Sequence, residues 1–192
     1  MDNSKSSKSF LLCLVATFWV VIGTTMALGV PGQQGQTGPT GDLSVVGEVS
    51  VNGTSAISGA TVFSDSTITT RKNSSVVVSL GKLGRVEVLP ESTMKLSFTG
   101  SRITIRMLDA GRVRVSSSSG TGVTATTRDG ETIGDSSVKN EMVIDTRCGN
   151  TTVFIKTGQV DIRDFKLKKT IRPQGQHTVG TGKAGCTPSA RD

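Results

Sequence analysis

Gly111-Arg112-Val113-Arg114-Val115 is one of four copies of a short pattern, and that pattern decides the fold. The others read Gly47-Glu48-Val49-Ser50-Val51, Gly84-Arg85-Val86-Glu87-Val88 and, with Ile in the last place, Gly158-Gln159-Val160-Asp161-Ile162. Alternation at period two sets the Val side chains on one face of an extended strand and the polar residues on the other. The leading Gly marks a turn or bulge, where a positive φ costs little. Each copy predicts a half-buried antiparallel strand whose valines share one interior.

The residues around these copies continue the theme. Val49–Val51 and Thr54–Ile57 flank Asn52-Gly53, a dipeptide that predicts a type I′ hairpin turn because both its residues accept a positive φ. Further strands are expected at 59–63, 67–70, 76–80, 84–89, 93–98, 102–107 and 111–115, with Pro90 closing the 84–89 run. Ser116–Gly122 reads as an exposed loop, 122–127 as a strand and Asp129-Gly130 as a turn. Runs at 142–146, 151–155, 160–162, 170–172 and 176–179 complete the set. Short strands separated by turn signals predict an all-β fold: two packed antiparallel sheets, sandwich-like, or a short β-solenoid.

The chain has 192 residues, 34% hydrophobic, with no Tyr and a formal net charge of +7. A basic balance fits anionic lipid, an acidic polymer or nucleic acid, or simply a solvated charged face. Beyond the N-terminal thirty residues the aromatics are Phe63, Phe98, Phe154 and Phe165. That is too few for the stacking platforms of a single-strand nucleic-acid groove, so no nucleic-acid partner is expected.

Residues 1–9 are polar with Lys5 and Lys8, and Phe10 to Ile22 is apolar except for Thr17. Thr25-Met26-Ala27 offers a small-x-small cleavage site. Residues 1–30 therefore read as a secretory signal peptide or an uncleaved signal-anchor, one hydrophobic helix in either case. Both readings place the rest outside the cytoplasm, in the periplasm or at the cell surface. Residues 31–43 read as a Gly-rich linker, 44–182 as the β domain and 183–192 as a tail.

The order Val49-Ser50-Val51-Asn52-Gly53, Gly59-Ala60-Thr61-Val62, Ile68-Thr69-Thr70, Ser75 to Leu80, Val86-Glu87-Val88-Leu89-Pro90-Glu91-Ser92 and Ala110 to Val115 resembles the FecR domain. The resemblance covers residues 44–118 well and 119–182 loosely. It implies the extracytoplasmic β module of FecR-type regulators, in a bacterial envelope. Only nine residues precede Phe10, so the expectation is the module without the helical cytoplasmic anti-sigma region and without transcriptional control.

Little in the sequence signals chemistry. Cys148 and Cys186 fall in the exported part, where two thiols pair more often than not; the bridge would close a loop of about 38 residues and stabilise by ~4 kcal/mol. The competing reading is two free or metal-binding thiols, yet zinc wants four ligands and the chain has a single His, His177. No nucleophile elbow accompanies His177 and no phosphate loop occurs, so no catalytic, metal or cofactor residue is nominated. Lys166, Lys168, Lys169 and Arg172 form the densest basic cluster, with Phe165, Leu167 and Ile171 interleaved. It reads either as an edge strand guarded by Lys or as a contact for anionic lipid or cell-wall polymer. The expected function is a non-enzymatic binding or sensory module of the envelope, with an envelope protein or anionic polymer as partner, and with the membrane through residues 1–30 if these are uncleaved. The alternatives are a structural, adhesion-type β protein and an enzyme whose site lies in the Ser/Thr-rich loops.

Overall fold

The structure, a computed structural model, describes residues 39–147 and 149–182. The hydrophobic N-terminal segment, the linker up to residue 38, both cysteines of the expected bridge (Cys148 and Cys186) and the tail 183–192 lie outside the described residues. Strands are numbered in chain order. One eight-stranded sheet holds β1 (Thr40–Val46), β4 (Thr61–Phe63), β6 (Ser75–Ser79), β7 (Gly84–Val88), β10 (Gly111–Ser117), β13 (Asn140–Arg147), β14 (Asn150–Thr157) and β17 (Gln176–Gly180). A nine-stranded sheet holds β2 (Val49–Val51), β3 (Thr54–Ser55), β5 (Ser66–Thr70), β8 (Ser92–Phe98), β9 (Arg102–Met107), β11 (Gly122–Thr126), β12 (Gly130–Gly134), β15 (Val160–Asp164) and β16 (Lys169–Ile171). The one helical turn among the described residues is Gly81–Leu83.

The two sheets pack with their apolar faces inward. Alternation is strict in β8, where Met94, Leu96 and Phe98 are buried, and in β9, where Ile103, Ile105 and Met107 are buried. The four pattern valines, Val49, Val86, Val113 and Val160, are each at most 2% exposed and belong to one core cluster drawn from both sheets. Each such side chain contributes roughly 1.5–3 kcal/mol by leaving water. The second and third copies of the pattern are neighbours: Val88 pairs with Val113 and Val86 with Val115. Their outward residues therefore also meet, Glu87 opposite Arg114 and Arg85 opposite Ser116.

Order within each sheet follows order along the chain except at one end, where β4 lies outside β1 and β3 outside β2. The sheets run β17-β14-β13-β10-β7-β6-β1-β4 and β16-β15-β12-β11-β9-β8-β5-β2-β3. The chain mostly lays a hairpin in one sheet and the next in the other, so a strand returns after an even number of intervening strands and pairs antiparallel. β4, β5 and β10 are laid down singly, and β10 alone of these stands between two strands, β9 and β11, that pair with each other. One intervening strand reverses the direction once fewer, and β11 pairs with β9 in parallel, Val123 beside Ile103. The expectation of purely antiparallel sheets is corrected at this pair.

Local chemistry sets the turns. Asn52 (φ 52°) and Gly53 (φ 80°) form the expected I′ turn, with Val51 opposite Thr54. The leading glycines have two different reasons to be glycine. Gly84 has φ 127°, with the Ser116 carbonyl where a side chain would go. Gly111 has no such φ; a Cβ there would meet Ser92 at 2.7 Å. At that contact the sheets touch: the Arg112 N–H donates to Ser92 Oγ (2.8 Å), and the Ser92 N–H donates to Thr70 Oγ1 (3.1 Å). The strands also depart from the sequence reading in several places. β1 starts at Thr40, inside the expected linker; β10 takes in Ser116 and Ser117; and β12 fills a stretch beyond the Asp129-Gly130 turn where no strand was expected.

Candidate functional site

The basic cluster singled out in the sequence falls on the β15–β16 hairpin. Phe165-Lys166-Leu167-Lys168 does not extend as a strand, contrary to the alternating reading; it is the turn between the strands. The cause is Asp164, mostly buried at the end of β15. Its Oδ1 accepts hydrogen bonds from the N–H groups of Lys166 and Leu167, both at 2.8 Å, and so folds the chain back. Lys168 completes the turn at φ 51°. Pairing then resumes, Lys169 opposite Asp164 and Ile171 opposite Ile162. β16 is the sheet's last strand, so the edge-strand reading holds for Lys169–Ile171 alone.

The four cations of the cluster divide. Arg172, exposed at the surface, is already engaged by a two-pronged pair with Asp161, 2.7 Å from Nε and 2.9 Å from Nη2. That bond holds the Asp161 carboxyl below its usual range and raises Arg172 above its own. Lys166, Lys168 and Lys169 are exposed and have no ion pair among the described residues. Beside them stand two exposed apolar side chains, Phe165 at 44% and Leu167 at 71% exposure. The tip thus presents lysines and apolar groups together on a backbone fixed by a carboxylate.

A second surface escaped the sequence reading. It lies on the eight-stranded sheet, where β7, β10, β13 and β14 line a depression of about 490 Å³. Arg112 and Arg114 come from β10, Arg85 from β7 and Lys156 from β14. Arg114 Nη1 donates to Glu87 Oε2 at 2.8 Å. Lys156 Nζ donates to Glu141 Oε1 at 3.0 Å, which holds the Glu141 carboxyl below its usual range. Arg112 is only 7% exposed, and its Nε has no hydrogen-bond partner. The Nε stands 3.7 Å from Oδ2 of the fully buried Asp145, which instead receives two 2.8 Å bonds from Arg147, one on each oxygen. The available signal was the Arg in the polar places of two pattern copies. Alternation alone reads those places as solvent-facing; only the strand register brings them together.

His177 lies on β17 opposite Val153, with no hydrogen-bond partner among the described residues. A smaller depression of about 210 Å³ is lined by Met107, Asp109, Arg128, Asp129, Arg147 and Asn150, among others. Its Asp129 is already engaged, by Arg128 at 3.5 Å and Thr151 Oγ1 at 3.0 Å. No group of three or more His, Cys, Asp or Glu among the described residues converges as metal ligands would. No protein-family model matches the chain, and no characterised protein matches it either.

Proposed function

We infer that the chain is a non-enzymatic binding module of the bacterial cell envelope, a FecR-like domain that meets an anionic lipid surface through the tip of its β15–β16 hairpin. The observation that carries this reading is the tip itself. Exposed apolar side chains on a fixed turn gain from burial in an interface, and unpaired lysines beside them gain from anionic headgroups, about 1 kcal/mol per Lys near such a surface. A polymer of like charge satisfies the lysines but leaves Phe165 and Leu167 in water. The secretory reading of residues 1–30 supplies the compartment.

The test reads the tip and not the rest of the chain. Trp19 is the single Trp, so Trp19→Phe with Leu167→Trp places the only fluorophore at the tip. Vesicles containing phosphatidylglycerol should shift its emission to shorter wavelength, and added salt should reverse the shift. Neutral vesicles should leave it unchanged. An unchanged spectrum with both kinds of vesicle contradicts the reading, and a shift caused instead by soluble teichoic-acid-type polymer replaces the lipid by that partner.

A further inference from the structure

The depression on the eight-stranded sheet contains a buried cation that the protein leaves incompletely bonded. Of its four cations, Arg114 and Lys156 are matched by Glu87 and Glu141. Asp145 is hydrogen-bonded by Arg147 at 2.8 Å on both oxygens and stands only 3.7 Å from Arg112 Nε, so one carboxylate serves two guanidinium groups. That leaves Arg112, its Nε without a partner, and the exposed Arg85, which has no ion pair among the described residues. A guanidinium taken out of water without full hydrogen bonding is costly, and it is retained most readily where an anion completes it. Val143, Phe154 and Ile155 line the same depression and give it an apolar side.

We propose that this depression binds a phosphate monoester, its phosphate on Arg112 and Arg85 and its apolar substituent against Phe154 and Ile155. Arg112 and Arg147 share the single Asp145 carboxylate, and Arg85 has none among the described residues. That excess of two positive charges suits a group carrying about −1.5 to −2 at neutral pH, whereas a single carboxylate leaves one in excess. Guanidinium groups present paired donors that fit phosphate oxygens. The site is on a different sheet from the hairpin tip and stands whether or not the tip meets a membrane.

Calorimetric titration of the full chain with octyl phosphate, below its micelle concentration, tests the proposal. Saturable one-to-one binding is expected, weakened about tenfold or more by Arg112→Gln and measurably by Arg85→Gln. Octanol should show no such binding. Replacing Lys166, Lys168 and Lys169 by Gln should leave the affinity unchanged. Circular dichroism checks the fold of each variant; if Arg112→Gln fails to fold, the exposed Arg85→Gln decides. No saturable binding, or binding indifferent to the arginine substitutions, overturns the proposal. Vesicles carrying phosphatidic acid separate two sources of the monoester: competition with octyl phosphate assigns a lipid headgroup, and its absence a soluble ligand.

Discussion

Val113 on β10 and Val160 on β15 hold the same place in the Gly-x-Val-x-Val pattern and are equally buried, at 0% and 1% exposure. The reverse sides of the two strands differ. Behind Val113, at the middle of the eight-stranded sheet, Arg112 is enclosed and faces a fully buried Asp145. On β15, one strand from the sheet edge, Asp161 and Arg172 form their pair with side chains 35% and 57% exposed. One pattern therefore makes the same contribution to the core in both places. Position in the sheet decides whether its polar residues become a solvated pair or a buried one that is left incompletely hydrogen-bonded. The lesson is that a strand's inward face follows from its own sequence, and its outward face from its neighbours.

Four substitutions can break or sharpen this contrast. The largest effect belongs to Asp145→Ala, which strips Arg112 and Arg147 of their shared buried carboxylate. It should destabilise by about 3–5 kcal/mol in denaturant unfolding. A loss below ~1 kcal/mol, the range of exposed pairs, would place Asp145 in effect at the surface. Val113→Ala and Val160→Ala come next. Each removes two buried methyl groups, so about 2 kcal/mol is expected for either once the cavity is included. Equal losses support one continuous interior, and a near-zero loss at Val160 would detach β15 from it.

Asp161→Asn should have the smallest effect, a slightly lower Tm at neutral pH. The sign of its pH dependence is fixed by the carboxyl. Arg172 holds the folded-state value below the ordinary one, so the pair stabilises above the ordinary carboxylate pKa. That contribution is lost as pH falls through the lowered folded-state value. Wild type and variant should therefore converge in acid. A gap that widens in acid contradicts the pairing.

The same contrast explains what the sequence disclosed. Strands whose inward positions are Val, Ile, Leu, Met or Phe, such as β8, β9 and β10, were legible from alternation alone. β12 was not, because its inward residues are Gly130, Thr132 and Gly134 while Ile133 points outward. β1 was hidden by Gly41, which sits inward with the Leu80 side chain 2.8 Å from where its Cβ would be, and which reads as the last triplet of a linker. The Phe165–Lys168 run alternates as a strand does, yet two hydrogen bonds to Asp164 turn it. The depression around Arg112 depends on the register between β7, β10 and β13, pairings set by intervening strands rather than by any local spacing. Whether β9 and β11 run parallel likewise depends on a count of strands, and β10 had to be recognised as a lone one.

The most direct check is the attenuation of assigned Val methyl signals by a water-soluble paramagnetic agent, with Val46 as the internal reference at 63% exposure. Methyls of Val49, Val86, Val113 and Val160 should keep nearly full intensity while those of Val46 fade. Fading of those four alongside Val46 would show that the pattern's valines face water and that no common interior joins the two sheets.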